Sequence, residues 1–382
     1  MKDVIARIFG LEANGMQDGL TVFAAVLSAV LAAAAIAVIA VLAAKGRLRV
    51  IKTTARLWNR TKLLFQTAFA VLTNSFMIGW LKGGIYSGKL KYICTPGLNC
   101  YSCPGAWGAC PIGAIQAILN EFDPSSVKYD SGTGQFSMTP RYRFAFYAVG
   151  FIMAAGAVCG RLVCGLLCPF GWVQDLLFRI PIPKLRLPRS YDAISRMKRP
   201  RLAKAALAAD RALRYVKYLV LAVLVVLIPL LSVSEPVFCK YVCPSGMLMG
   251  GVPLLASSHA LASQAGGVTA LKLAVLAAVI VLSVFIYRPF CRYIYPLGAF
   301  YALFNPVSLM RYGVDDSACG RCSGCSACAS ACPMGVDPVK TPNSPECIRC
   351  GVCASVCPNK AIHPGFKTKT PEGMAIRTRR RK

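Results

Sequence analysis

Two tandem cysteine runs constrain this chain more than anything else in it. Cys322-x2-Cys325-x2-Cys328-x3-Cys332-Pro333 is followed by Cys347-x2-Cys350-x2-Cys353-x3-Cys357-Pro358. Three thiols at x2 intervals let one tight loop wrap three corners of an iron–sulfur cube, and the fourth thiolate must arrive from another segment. This is the bacterial-type [4Fe–4S] spacing, in which the fourth cysteine of each run serves the other cluster. The pattern therefore assigns Cys322, Cys325, Cys328 and Cys357 to one cluster, and Cys347, Cys350, Cys353 and Cys332 to a second. Zinc sites use two separated ligand pairs or histidines, which tandem runs of four do not supply. Disulfides would be out of place in a segment that the charge distribution puts in the cytoplasm. Cys319 sits one x2 step upstream and is left as a spare thiol or alternative ligand.

The rest of the composition points to a membrane. Of 382 residues 56% are hydrophobic, and the net charge is +29. That charge lies in loops between apolar runs and at the C-terminus, which is a membrane pattern and not a nucleic-acid-binding surface. There are 19 cysteines and 2 histidines. His259 and His363 lie in different segments, which disfavours a bis-histidine haem, and thiolate-rich sites suit iron–sulfur clusters.

Apolar runs at 20–44, 63–81, 144–160, 218–234 and 268–287 read as about five transmembrane helices. The first is too long for a signal-peptide core. Segment 45–62 carries seven Lys/Arg and no acid, and 179–217 carries twelve against two. Both are cytoplasmic by the positive-inside rule, so the N-terminus lies outside and the double cysteine run inside the cytoplasmic (inner) membrane. The basic stretch 201–214 is expected to lie along the anionic inner leaflet, Pro229 to kink the fourth span, and Lys272 to snorkel. The expected fold is mainly α: a first helix and basic loop (1–62), a membrane core (63–311) with an outer loop (82–141), a ferredoxin domain (312–364), and a basic tail (365–382).

The outer loop holds Cys94, Cys100, Cys103 and Cys110. A cluster there and a pair of disulfides on the oxidising side both remain open. DSGTGQFSMT (130–139) reads as a polar turn.

Three segments match one another: RLVCGLLCPFG (161–171), EPVFCKYVCPSG (235–246) and RPFCRYIYPLG (288–298). Cysteines four apart face one side of a helix, and the proline after them is expected to stop it. Arg161 and Arg288 flank the cytoplasmic copies and Glu235 the outer one. Counted by face, Cys159, Cys164, Cys168 and Cys291 form a candidate inner-face cluster, and Cys100, Cys103, Cys110, Cys239 and Cys243 a candidate outer-face cluster. The third copy departs from the pattern, with Tyr295 in the second cysteine's place. The alternative is thiol pairs without iron.

The double ferredoxin motif, CGLLCPFG, CKYVCPSG and the loop LNCYSCPGAWGACPIGAIQ together resemble the NapH/NosR/YccM-type membrane polyferredoxins of bacteria, over about residues 60–360. The resemblance implies two [4Fe–4S] clusters and up to two more. It also implies electron transfer between a cytoplasmic donor and an acceptor in or outside the membrane, such as a flavoprotein or cytochrome. Quinol oxidation is a weaker alternative, because no histidine and no clear buried acid falls within a span. Metal or thiol maturation of another membrane complex is a third reading. A bilayer and redox proteins are the expected partners; nucleic acid is not.

Overall fold

The first described helix already departs from expectation. α1 runs from Ala55 to Thr73, eight residues ahead of the apolar run at 63–81. Its buried stripe is Lys62, Gln66 and Ala70, spaced four apart, whereas Leu64, Phe65, Val71 and Leu72 are exposed. The helix is polar inward and apolar outward, so a hydropathy window misplaces its ends. Asn74 ends it by donating its side-chain amide to the Ala70 carbonyl at 3.0 Å and to the Thr73 hydroxyl at 3.1 Å.

The computed structural model describes residues 55–76, 78–79, 84–86, 88–119, 128–130, 135–137, 140–181, 200–231, 236–257, 266–319 and 325–366. The span expected at 20–44, most of the basic loop before α1, Glu235, Cys322 and nearly all of the tail lie outside the described residues.

α2 (Pro111–Leu119) packs against α3 (Pro140–Cys159). Between them, β1 (Lys128–Asp130) and β2 (Gln135–Ser137) form an antiparallel hairpin, so the expected polar turn at 130–139 is partly strand. α4 (Leu162–Leu166) and α5 (Pro169–Leu177) carry the first repeat. α6 (Pro200–Val220) continues through widened i→i+5 turns at Leu221–Leu227 into Ile228–Leu231. The surface helix expected at 201–214 is therefore the first half of one long helix, and it packs against the third repeat. The widened turns come just before Pro229, whose missing N–H and ring disturb the preceding turn. α7 (Gly267–Phe285) leads into α8 (Pro289–Tyr293) and α9 (Pro296–Phe304).

Among the described residues only α7 is long and apolar enough to cross a bilayer, with a shorter apolar stretch at Tyr147–Cys159. The apolar windows at 63–81 and 218–234 each overlap a helix that starts earlier and carries a buried ionic face.

In all three repeats one helix ends just before the proline, as expected, and the proline itself starts the next. Cys168, Cys243 and Tyr295 each take an extended N-cap conformation, and the following Pro169, Pro244 and Pro296 open the next helical turns. Proline is pre-organised for the first helical position and pushes the residue before it out of the α region. Each repeat thus bends its chain back into the core. α7 packs on the second repeat and also leads into the third, while α5 of the first repeat lies against it too.

The C-terminal module is closed by β3 (Met310–Val314) paired antiparallel with β4 (Ile362–Phe366), with Met310 opposite Phe366 and Val314 opposite Ile362. Between them α10 (Ala327–Ala331) packs on α11 (Val352–Ser355).

Candidate functional site

The module gathers its thiols into two cavities. Cys332, Cys347, Cys350 and Cys353 line one, with Pro333 beside them. Cys325, Cys328 and Cys357 line the other, joined by Cys319 and Pro358. The last cysteine of each run therefore lies with the other run. Packing α10 on α11 does this, since Cys328 and Cys353 sit on those helices and Cys332 and Cys357 follow them. Backbone N–H groups point at the sulfurs: Arg349 donates to Cys347 Sγ at 3.4 Å and Ala361 to Cys357 Sγ at 3.3 Å. Neither cavity is lined by a histidine or carboxylate, and thiolates alone are the donor set of iron–sulfur clusters. No three Cys, His, Asp or Glu side chains among the described residues converge where a single ion could sit. Burial pushes the Cys347 thiol up to about 12; a thiol of this kind gives up its proton when a metal coordinates it.

A second group forms where the first and third repeats meet. Cys164, Cys168 and Cys291 are all buried there. Gly171 N–H donates to Cys168 Sγ at 3.3 Å and Gln174 Nε2 to Cys291 Sγ at 3.1 Å. Cys159 lies near Arg349, whose Nη1 donates to its carbonyl at 2.9 Å.

The outer loop supplies the third group. Loop and second repeat lie close together: a Cβ on Gly246 would come within 3.6 Å of Cys100 Sγ, and one on Gly113 of α2 within 4.0 Å of Cys239 Sγ. Cys103, expected in the same set, donates to Asn74 Oδ1 at 3.4 Å. Cys94 pairs with Ala109 in an isolated bridge, and burial pushes its thiol up to about 11. All described cysteines are free thiols, so the disulfide alternative for the loop is not what the structure holds.

The loop is not an outer appendage. It enters the core: Tyr301 OH donates to the Pro96 carbonyl at 3.0 Å, and a Cβ on Gly97 would come within 2.5 Å of the Leu167 carbonyl oxygen. Only a glycine admits the first repeat so closely. Cys110 Sγ lies 3.7 Å from Tyr295 OH, and Tyr295 belongs to the same buried core as Cys164 and Cys168.

Buried ions, invisible in the motif, bind these parts together. Arg288 forks onto both Asp175 oxygens at 2.6 Å, and Lys62 meets Asp175 Oδ2 at 2.7 Å. Arg288 also donates to the carbonyls of Cys164 and Gly165. Burial alone would raise the Asp175 carboxyl, but Arg288 and Lys62 outweigh it and hold it well below the usual range. Arg161 donates to the Pro345 carbonyl at 2.8 Å and to that of Cys291 at 3.3 Å, linking the module to the second thiol group. Glu346 bridges Arg161 and Lys217; burial would raise its carboxyl, but those cations lower it. Trp58 Nε1 donates to the Cys350 carbonyl at 2.7 Å. Gly165 lets the Ile348 carbonyl approach so closely that a Cβ would collide with it. Arg161 and Arg288 are 0% exposed, so they are structural cations and not the solvated charges expected at a membrane face. The sequence signal available for Asp175 was its position beside an apolar segment, where ionisable residues are rare and paired.

Family models place a class on this geometry. The model described as 4Fe-4S binding domain (Fer4_5) matches residues 144–188, 217–256 and 270–314, one match per repeat, and a second 4Fe-4S binding domain model (Fer4) matches 342–363. The chain carries 4Fe–4S binding domains, consistent with a polyferredoxin-like iron–sulfur protein. It is similar to the uncharacterized protein MJ0750 of Methanocaldococcus jannaschii, 28% identical over 52% of this chain and 68% of that one. It is also similar to the uncharacterized protein MJ0749 of the same organism, 27% identical over 50% of this chain and 58% of that one. No solved structure matches the chain.

Proposed function

We propose that this chain is an electron conduit of the cytoplasmic membrane, holding four [4Fe–4S] clusters between a cytoplasmic donor and an acceptor in or beyond the membrane. Such clusters supply one-electron transfer; the chain's residues position, insulate and connect them. The observation that carries the reading is one continuous buried core that includes Cys350, Cys164, Cys168, Tyr295, Cys110 and Cys243. Electron tunnelling decays steeply with distance, and a shared core keeps Cys350, Cys164, Cys168, Cys110 and Cys243 in one packed body. The assigned ligands are Cys322, Cys325, Cys328 and Cys357; Cys332, Cys347, Cys350 and Cys353; Cys159, Cys164, Cys168 and Cys291; and Cys100, Cys110, Cys239 and Cys243.

The outward apolar faces of α1 and α7, including Leu64, Val71, Leu271 and Val281, fit a lipid surface. The basic segments 45–62 and 179–217 favour a cytoplasmic module and an outer N-terminus. A flavoprotein or cytochrome would serve as the outer partner.

Purified chain should carry about sixteen irons with matching acid-labile sulfide, and an impermeant thiol reagent applied to intact cells should miss the module. About eight irons would favour thiol or metal maturation by the core cysteines, and labelling of the module from outside would reverse the orientation.

The crossed ligation makes a second test. Cys332→Ser should alter the paramagnetic signal of the cluster held by Cys347, Cys350 and Cys353, leaving the other module signal intact. Loss of the other signal alone would reject the assignment.

A further inference from the structure

The third repeat's departure from its pattern has a specific geometry. Tyr295 takes the same extended N-cap position before proline as Cys168 and Cys243. Its ring is 1% exposed and stacks on Phe290 at 5.6 Å and 28°. Phe290 packs edge-on against Phe170, so the ring is held from the side of the first repeat. The hydroxyl reaches away from the third repeat's own Cys291, to Cys110 Sγ of the loop at 3.7 Å. A thiol here would have to serve the inner group; a tyrosine is longer and spans to the next one.

We propose that Tyr295 is a positioning residue that joins the two core clusters, donating its hydroxyl proton to the Cys110 thiolate and setting the reduction potential of the cluster on Cys100, Cys110, Cys239 and Cys243. This rests on the four-cluster reading above. A thiolate bound to iron carries no proton, so it can only accept, and the phenol must donate. Hydrogen bonds to cluster sulfurs stabilise the more negative, reduced state and raise the potential. The inner group is served differently, by Gln174 on Cys291 and Gly171 on Cys168. Each core cluster therefore has its own donors, and Tyr295 touches the Cys110 cluster from a ring in the same buried core as Cys164 and Cys168.

The test is Tyr295→Phe, which keeps the ring and its packing and removes only the hydroxyl. Redox titration followed by electron paramagnetic resonance should show one core signal moved to more negative potential. Iron content and both module signals should stay as in the wild type. An unmoved core potential at unchanged iron would overturn the tuning role. Loss of about four irons would do so as well, making Tyr295 a packing element of the site. Wild-type protein with only about eight irons would instead overturn the four-cluster reading itself, before any variant is compared. Tyr295→Met gives a second measurement: it fills the core without a donor and should move the same potential in the same direction.

Discussion

Cys291→Ala is expected to lose about four irons per chain and to stop reduction of an external acceptor by a cytoplasmic donor, with both module signals retained. Cys291 is 1% exposed, and Gln174 Nε2 donates to its sulfur. Removing one small sulfur leaves the α8 backbone and the Arg161 bond to the Cys291 carbonyl in place, so the fold should survive. What is lost is the third repeat's single thiolate, because the other position of that repeat is Tyr295. Without it, electrons would have to pass from the module to the Cys110 group across the space the missing cluster occupied. Iron analysis and vesicle assays with an impermeant acceptor check this directly. Unchanged iron with intact transfer would make Cys291 a packed thiol and route the electrons elsewhere.

The parts of this arrangement that the sequence made legible are those with short-range covalent logic. Cys-x2-Cys-x2-Cys-x3-Cys-Pro forces a tight turn whatever surrounds it, and the structure duly pairs Cys332 with the second run in one cavity. The three repeats were legible for the same reason, since proline fixes its own φ and restricts its neighbour. What that local reading missed was direction. Proline at the first helical position turns each repeat inward, as at Cys168–Pro169. Cys110, read as a loop thiol, meets Tyr295 inside the core.

Helix ends and buried ions were illegible for a different reason. A hydropathy window averages over all faces of a helix, so α1 with Lys62 and Gln66 inward and Leu64 and Phe65 outward gives a misplaced span. Nothing in the spacing of Lys62, Asp175 and Arg288 says that they meet, because each comes from a different element. The partners of Arg161, which are Pro345, Glu346 and Cys291, likewise come from distant segments.

Asp175→Ala should destabilise the protein by about 3–5 kcal/mol, the range for breaking a buried ion pair by removing one partner. The cost comes from what remains. Arg288 is 0% exposed and would keep its charge with only the Cys164 and Gly165 carbonyls to accept its N–H groups. Lys62 would retain the Tyr287 hydroxyl at 2.9 Å, which compensates no charge. The damage should reach the second thiol group, since Arg288 ties the third repeat to the first through the Cys164 carbonyl. Asp175→Asn keeps the shape and some hydrogen bonds and should cost less, separating charge from packing. The pH dependence follows from the depressed carboxyl. Its stabilisation is fully present above the unfolded value of about 3.9 and fades as pH falls through the lower folded value. Thermal unfolding in detergent should therefore show a wild-type advantage over Asp175→Asn that is flat near neutral pH and shrinks only in strong acid. An advantage that instead grew on acidification, or an alanine variant as stable as wild type, would mean that Arg288 and Lys62 find other counter-charges and that Asp175 does not hold the repeats together.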